Sequence, residues 1–310
     1  MKIDCALILA AGAGSRMGKI GQRLPKVIWP VFEKRTLELE VLYARKLGAK
    51  KIFINLHHYK EQILRFISSS PVFENVEILI EKDKIDIGGA IHNLANQTEA
   101  DGNLLVLNSD QFIFMNSDQW SSAWEKYKTG DNLLFAYQVN SNQLYNELKV
   151  KDDRLLSVVP NQNLPRDQRI LTYTGMSLIN LKKLKPAPGP SKFFETVANP
   201  QKTKTLCYDI RSAPYWDFGT LERYWLSSFK LLQTIENGNF DLFGRFLMDV
   251  GALDSQKIKN GGYAAKEERV INLSGVKQGV VRNKIILKGR CPEHLGDDPE
   301  IVYEDLSEKV

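Results

Sequence analysis

Two groups of residues in this 310-residue sequence have the types and spacing for chemistry, and the first is a glycine-rich run after a short apolar segment. Gly12 and Gly14 permit backbone conformations closed to other residues and leave N–H groups open to a ligand. Arg16 adds a guanidinium that can grip phosphate oxygens, and Lys26, set by the stiff Pro25, adds a point charge. The pattern predicts a loop that binds polyphosphate.

Two better-known phosphate loops do not match this run. A P-loop requires Gly, four residues and then Gly-Lys-Ser/Thr, but Gly18-Lys19 has Ala13 at the required earlier position and Ile20 after it. A dinucleotide-binding turn requires Gly-x-Gly-x-x-Gly, and Met17 stands where the third glycine should be. Both classes are therefore excluded.

The second group consists of two aspartates that are distant in the sequence. Asp110 directly follows the apolar segment 103–107, and Asp217 precedes Phe218-Gly219-Thr220. Magnesium is usually held by one or two carboxylates together with substrate phosphates, so the pair suits a Mg²⁺ site. Either aspartate alone would more often be a turn or helix-cap residue.

The elements that would position these residues follow an alternating pattern. Apolar strand-like segments at 6–11, 51–56, 76–80, 103–107 and 133–139 alternate with segments of helical spacing. This pattern predicts an α/β fold with a Rossmann-like, doubly wound, mostly parallel sheet that has helices on both faces. Ligands of such sheets bind at the carboxyl ends of the strands, where the glycine run and Asp110 both stand.

The second half of the chain changes character. Strand-like segments at 155–159 and 170–180 flank a polar stretch, which predicts an antiparallel insert that completes a substrate pocket. Helical spacing follows over 221–235 and 240–250. After about residue 261, short Val/Ile segments at 270–271, 280–281 and 285–287 predict a small C-terminal β appendage. We therefore divide the chain into a main domain, 1–235, and a tail, 236–310.

Composition narrows the class of protein. The formal charge of +5 is spread thinly, and no block of Lys and Arg with interleaved aromatics indicates a nucleic-acid partner. The six-residue apolar run near the start is too short for a signal-peptide core or a membrane span, so we expect no membrane association. Cys5, Cys207 and Cys291 lack metal-type spacing, which predicts reduced thiols in a cytoplasmic protein.

These motifs together resemble the signature of the sugar-1-phosphate nucleotidyltransferases. The resemblance rests on Leu-Ala-Ala-Gly-x-Gly-x-Arg-Met at 9–17, on Pro25-Lys26, and on the match of Asp110 and Asp217 to the two aspartates that hold the metal in that family. The stretch Asn55-Leu56-His57-His58 resembles the branch with N-acetylmuramate-1-phosphate uridylyltransferases and mannose- or heptose-1-phosphate guanylyltransferases. The resemblance implies a nucleotide half at about 1–140 and a sugar-phosphate half at about 141–235.

The resemblance also implies a role for each matching position. The predicted catalytic residues are Arg16, Lys26 and Asp110, and the predicted Mg²⁺ ligands are Asp110 and Asp217. The residues predicted to bind the nucleotide are Leu9, Ala10, Ala11, Gly12, Gly14, Ser15, Arg16, Gly88 and Gly89. The residues predicted to bind the sugar phosphate are Lys26, Asn108, Gly175 and Glu195.

The implied reaction is Mg²⁺-dependent transfer of a nucleotidyl group from an NTP, GTP or UTP, to a sugar 1-phosphate, as in cell-envelope polysaccharide synthesis. The sequence departs from the family at Ser109, at Asp86-Ile87 in place of Gly-Thr, and near Pro160, where a Glu-Lys-Pro element is missing. Two alternatives stay open: a cytidylyltransferase acting on a small phosphate such as phosphocholine, and a silent nucleotide-binding regulator. The oligomeric state is also open, a homo-oligomer included.

Overall fold

A computed structural model gives the structure of the chain. It describes residues 2–17, 21, 24–98, 102–187, 189–211 and 213–259, together with four short strands nearer the C-terminus.

A nine-stranded sheet forms the centre of the molecule, in the order β5-β4-β1-β6-β11-β8-β12-β10-β9. The strands of the main domain are β1 (Cys5–Leu9), β2 (Pro30–Val31), β3 (Lys34–Arg35), β4 (Lys51–Leu56), β5 (Val76–Ile80), β6 (Asn103–Asn108), β7 (Gln111–Ile113), β8 (Asn132–Asn140), β9 (Glu147–Lys151), β10 (Arg154–Val159), β11 (Arg169–Asn180), β12 (Thr205–Asp209) and β13 (Tyr215–Asp217). The predicted strands at 51–56 and 76–80 are confirmed to the residue.

Helices cover both faces of this sheet. They are α1 (Thr36–Lys46), α2 (Lys60–Ser69), α3 (Asp86–Thr98), α4 (Ser117–Lys128), α5 (Phe193–Thr196), α6 (Leu221–Glu236), α7 (Leu242–Asp249) and α8 (Ser255–Lys259). Two apolar clusters, one on each face, form the core, which confirms the α/β class. No helix in the described part of the chain is long and apolar enough to cross a bilayer.

Strands β5, β4, β1 and β6 form what we call the parallel half of the sheet. Leu9, the last residue of β1, pairs with Asn55 of β4 and with Asn108 of β6. The chain winds outward from β1 to β4 and β5, then crosses back to place β6 on the other side of β1. This reversal is a topological switch point, where side chains at the carboxyl ends leave a crevice.

Strands β11, β8, β12, β10 and β9 form the mixed half of the sheet, and we count the later elements α5, β13 and α6 with it. β11 is antiparallel to both β6 and β8, while β12 is parallel to β8. The predicted antiparallel strands are therefore present, but they continue the same sheet instead of forming a separate insert. Leu178 and Ile179 of β11 are fully buried on opposite faces, so this strand is stable only between two neighbours.

A separate two-stranded ladder, β7 with β13, was not expected from the sequence. Its register pairs Gln111 with Asp217, and the N–H of Phe218 donates to the carbonyl of Asp110 at 2.8 Å. Strands of three residues are too short to show a period of two in the sequence. This ladder brings Asp110 and Asp217 together.

The C-terminal region contains β14 (Ala264–Lys266), β15 (Val270–Asn272), β16 (Lys284–Leu287) and β17 (Glu300–Tyr303), which form one small sheet. The predicted β segments at 270–271 and 285–287 are confirmed. The segment predicted at 280–281 lies outside the described residues. The domain boundary near residue 235 stays a prediction.

Candidate active site

The glycine loop is held open at the switch point. The N–H of Ala10 donates to Oδ1 of Asn55 at 2.9 Å, which fixes the start of the loop to β4. Gly14 has a φ of +64°, and its carbonyl accepts from the N–H of Met17, whose side chain is fully buried. A Cβ on Gly12 would meet no heavy atom of the described residues within 4 Å, so this backbone is open to a ligand on the described side.

A cleft of about 230 Å³ opens beside this loop. It collects the ends of all four strands of the parallel half. Seven predicted site residues line it, namely Leu9, Ala11, Gly12, Arg16, Lys26, Asn108 and Asp110. Six other residues complete the lining, namely Asn55, Glu81, Lys84, Asp86, Ile87 and Ser109. The sequence-based prediction therefore identified one side of the cleft better than the other.

Glu81 forms the end of the cleft that the sequence analysis missed. It directly follows β5, and its carboxylate accepts a 2.6 Å hydrogen bond from Nδ2 of Asn55. Both side chains are buried, and burial raises the pKa of Glu81 by more than the hydrogen bond from Asn55 lowers it. A carboxylate in a cleft with one oxygen already held is suited to accept further N–H groups from a ligand.

Lys26 and Asp110 form an ion pair at the other end of the cleft. Nζ of Lys26 contacts Oδ2 of Asp110, and the two side chains are only 17% and 7% exposed. The nearby carboxyl of Glu40 is fully buried without a hydrogen-bond partner among the described residues. Burial raises the pKa of Glu40 strongly, and the charge of Asp110 raises it further.

Asp110 and Asp217 approach each other over Gly219. A Cβ on Gly219 would lie 2.7 Å from Oδ2 of Asp110 and 2.9 Å from Oδ1 of Asp217, so the missing side chain leaves a cradle between the two oxygens. The ammonium group of Lys26 contacts the first of these oxygens. Two hard oxygen donors that converge on a small space match the ligand preference of magnesium.

The second oxygen of Asp217 is held by side chains from four segments. Oδ2 accepts from Nε2 of Gln111 at 3.1 Å, from NH1 of Arg223 at 3.3 Å, and from the hydroxyls of Tyr145 and Tyr215. Burial and the charge of Asp217 raise the pKa values of both tyrosines, which keeps the phenols protonated as donors. These bonds fix the direction of the carboxylate, so that Oδ1 faces the cradle.

Besides Ala10, Gly14, Ser15 and Asp217, four more predicted site residues lie outside the cleft lining. Helix α3 begins at Asp86, so Gly88 and Gly89 form part of its first turn instead of a preceding loop. A Cβ on Gly88 would lie 2.6 Å from the carbonyl oxygen of Ser191, and one on Gly89 would lie 3.1 Å from that of Gly189. The two glycines therefore permit close packing of α3 against the segment 189–196, and their nucleotide-binding role stays a prediction.

The other two belong to the mixed half. Gly175 has a φ of +85°, and the side chains of Asn108 and Gln111 fill the space a Cβ would need. Glu195 is exposed and pairs with Lys192 at 3.1 Å. The sugar-binding roles of Gly175 and Glu195 also stay predictions. Of the remaining nucleotide-binding predictions, Ala10 is buried below the loop and Ser15 is exposed on it.

Some of the site residues that the sequence analysis missed could have been predicted from a sequence pattern, and others could not. Asn55 and Glu81 stand at the carboxyl ends of predicted parallel strands, and the rule that found Asp110 could have found them. Tyr145 and Arg223 lie in a loop and in a first helical turn, where no local pattern indicates contact with Asp217.

Comparisons with curated proteins find two enzymes of similar sequence. The chain is 29% identical over 108 residues to a D-glycero-α-D-manno-heptose 1-phosphate guanylyltransferase of Campylobacter jejuni, which covers 35% of this chain and 48% of that enzyme. It is 22% identical over 152 residues to the enzyme of the same name from Aneurinibacillus thermoaerophilus, which covers 49% of this chain and 65% of the relative. The matches thus span about half to two thirds of the relatives' length.

A solved structure shares the fold over a longer span. HddC from Yersinia pseudotuberculosis, crystallised in complex with GMP-PN, superposes with a TM-score of 0.60 and 22% identity over 73% of this chain and 98% of HddC. The family model described as "Nucleotidyl transferase" matches residues 5–159, which is half of the chain. This chain is therefore a member of the nucleotidyl transferase family.

Proposed function

We propose that this protein transfers a nucleotidyl group from a nucleoside triphosphate to a sugar 1-phosphate, with release of pyrophosphate. One observation carries the proposal: the open glycine loop and Asp110 line the same cleft at the switch point of the sheet, and Asp217 converges with Asp110 over Gly219. The loop suits a triphosphate, and the aspartates lie where the reacting phosphates would meet. Membership of the nucleotidyl transferase family supports the reaction class.

The residues of the chain would act mainly by positioning and charge. The N–H groups of residues 12–14 and the guanidinium of Arg16 hold the β- and γ-phosphates, while Lys26 faces the α-phosphate and the incoming sugar phosphate. The attacking phosphate oxygen is already an anion near neutral pH, so the site needs no general base. Holding the two phosphates in line supplies much of the rate enhancement.

Asp110 and Asp217 would hold Mg²⁺ in the cradle over Gly219. The fit rests on the two converging oxygens and on the cation already placed against Asp110. A bound Mg²⁺ supplies charge stabilisation to the phosphate oxygens in the transition state.

We further propose that the nucleotide is GTP. Guanine presents two adjacent donors, N1–H and N2–H, which match the two oxygens of the buried Glu81 carboxylate. Uracil presents one N–H between two carbonyl oxygens, and these would face the carboxylate unfavourably. The names of the curated relatives and the GMP-PN complex of HddC support the same choice.

The names of these relatives also make D-glycero-α-D-manno-heptose 1-phosphate the first acceptor to test. We propose the cytoplasm as the site of the reaction, because nucleoside triphosphates are available there and the buried free thiols of Cys5 and Cys207 suit a reducing compartment.

The test is Mg²⁺-dependent pyrophosphate release with each ribonucleoside triphosphate, crossed with heptose-, mannose-, glucose-, N-acetylglucosamine- and N-acetylmuramate-1-phosphate. We expect release with GTP and one sugar phosphate. A reaction with CTP and phosphocholine is included. Pyrophosphate release in that reaction alone would show that the acceptor is a small alkyl phosphate instead of a sugar phosphate. Nucleotide binding by calorimetry without release in any arm would indicate a silent binding protein and would overturn the proposal.

A further inference from the structure

The mixed half presents a cation beside Asp217 for which the proposed function assigns no role. Arg223 is the third residue of α6, and its guanidinium contacts Asp217 and the carbonyl of Gln143. The side chain is 21% exposed, and that of its partner Asp217 is 8% exposed. Lys26, the corresponding cation of the parallel half, is engaged with Asp110.

Three contacts fix the plane of the Arg223 guanidinium. NH2 donates to the carbonyl of Gln143 at 2.7 Å, NH1 lies 3.3 Å from Oδ2 of Asp217, and Cζ lies 3.9 Å from the centre of the Tyr145 ring. Stacking on an aromatic ring and a short bond to a carbonyl hold the group rigidly. Because a guanidinium carries five N–H groups, donors remain for a further ligand.

The bond to Asp217 is long for a charge-assisted pair, since such bonds are usually about 2.7 to 2.9 Å. Asp217 also receives donors from Gln111, Tyr145 and Tyr215. The guanidinium geometry is thus set by Gln143 and Tyr145 more than by the carboxylate. A guanidinium that is already held in one plane beside Asp217 is suited to bind an oxyanion with several oxygens.

We infer that Arg223 binds the phosphate group of the acceptor, a phosphomonoester dianion, an assignment that rests on the proposed function. In the proposed function the glycine loop and Arg16 hold the triphosphate, and Lys26 alone faces the acceptor phosphate, so a second cation on the Asp217 side would complete its charge neutralisation. Arg223 comes from the mixed half and contacts Asp217. Arg223 thus stands beside Asp217 as Lys26 stands beside Asp110.

The first experiment compares Arg223→Gln and Arg223→Lys with wild type in steady-state kinetics. We expect Arg223→Gln to raise the KM for the sugar 1-phosphate by about 10- to 100-fold, the range for losing a hydrogen bond to a charged group. The KM for GTP should stay within about twofold, and Arg223→Lys, which keeps the charge but not the fork, should lie between. Arg211→Gln is the matched control, because Arg211 forms only an exposed ion pair with Asp209.

A rise in the KM for GTP equal to that for the sugar phosphate, or a weaker Mn²⁺ affinity in Arg223→Gln, would show that Arg223 acts through Asp217. Either result would overturn the assignment, as would unchanged kinetics. Melting temperatures check that the variants are folded.

A second experiment separates this assignment from the proposed reaction. Inorganic phosphate is titrated calorimetrically into protein saturated with α,β-methylene-GTP, which occupies the triphosphate site and cannot release pyrophosphate. Weaker phosphate binding in Arg223→Gln, by about tenfold or more, supports the assignment even if no sugar phosphate is turned over. Equal phosphate binding by both proteins overturns it even if the proposed reaction is observed.

Discussion

The parallel and mixed halves of the sheet build their sides of the cleft in different ways. In the parallel half, Leu9, Asn55, Glu81 and Asn108 stand at or directly after the ends of paired strands. In the mixed half, Asp217 is held by side chains from separate loops and a helix. Backbone pairing between strands therefore fixes the side proposed for the nucleotide, whereas a network of side chains fixes the side proposed for the acceptor. A single substitution at a strand end of the parallel half should therefore change only its own contacts, whereas one in the network around Asp217 should change the position of several side chains.

The largest expected effect comes from the carboxylates that join the two halves. Asp110→Asn and Asp217→Asn should each lower kcat by about 1,000-fold or more, because each removes one of the two anionic oxygen ligands proposed for Mg²⁺. Circular dichroism and melting temperature should show a folded protein. Normal turnover in both variants would contradict the Mg²⁺ assignment.

Gly219→Ala tests the cradle without removing a charge. The new Cβ would lie within 3 Å of both aspartates, so we expect a loss of about 100-fold in Mg²⁺-dependent activity. Gly12→Ala is the counterpart in the parallel half, where the added methyl would meet no atom of the described part of the chain within 4 Å. It should raise the KM for the nucleotide and leave Mn²⁺ affinity, measured by electron paramagnetic resonance, unchanged. Weakened Mn²⁺ binding in Gly12→Ala alone would reverse the assignments of the two sides.

Glu81→Gln tests the base end of the cleft. The amide replaces one acceptor with a donor, so GTP should bind about 10- to 100-fold more weakly, and the affinity for UTP should change little. Because burial raises the pKa of Glu81, wild-type affinity for GTP should fall as the pH is lowered through that raised value, and Glu81→Gln should lack this dependence. Calorimetry at several pH values measures both effects. Equal loss of GTP and UTP binding would argue against base recognition.

Glu40 should affect stability more than catalysis. Its pKa is raised in the folded state, so its favourable contribution is complete below the ordinary value of 4.5 and is lost as the pH rises through the raised pKa. Glu40→Met should therefore be about 1 to 3 kcal/mol more stable than wild type at pH 8, with a smaller gain at pH 5. Urea unfolding at both pH values measures the difference.

Glu38→Met on the same helix is the control for Glu40. Glu38 accepts from the N–H of Arg35 at 2.8 Å and from Ser70 at 2.7 Å, so its replacement should destabilise the protein at pH 8. A destabilised Glu40→Met would mean that the Glu40 carboxyl is satisfied in solution.

The smallest effect is expected at Glu195. Its carboxylate forms an exposed pair with Lys192, and such pairs contribute about 0 to 1 kcal/mol. Glu195→Gln should therefore change the KM for the sugar phosphate by less than about twofold. A tenfold rise would restore the sugar-binding role that the sequence predicts.

The sequence predicted the parallel half far better than the mixed half, for a physical reason. A strand buried on both faces is an uninterrupted apolar run, so 51–56 and 76–80 were identified correctly, and the residues after such runs must lie at one edge. Asp110 and the glycine loop were found by this argument. The strands β7, β9 and β13 were missed, because they are short or at an edge and carry no such run.

The contacts of Asp217 are a clearer example of what local sequence patterns do not predict. Tyr145 and Arg223 reach it from points 72 and 6 residues away, and nothing in their local sequence specifies this meeting. Likewise, nothing in the sequence around Gly88 and Gly89 specifies the close approach of the segment 189–196 that the structure shows. The pattern of residues adjacent in the sequence predicts secondary structure, whereas the packing between distant segments has to be observed in the structure.

The ladder between β7 and β13 has a consequence for how this protein is made. It pairs Gln111 with Asp217, so the cradle requires the closure of a loop of more than 100 residues, which is a slow, long-range step in folding. A chain that has left the ribosome only as far as β8 already contains the parallel strands and the glycine loop, but it lacks Asp217. Under the proposed function, a nucleotide that binds this first half would favour its folded form before the second half is complete.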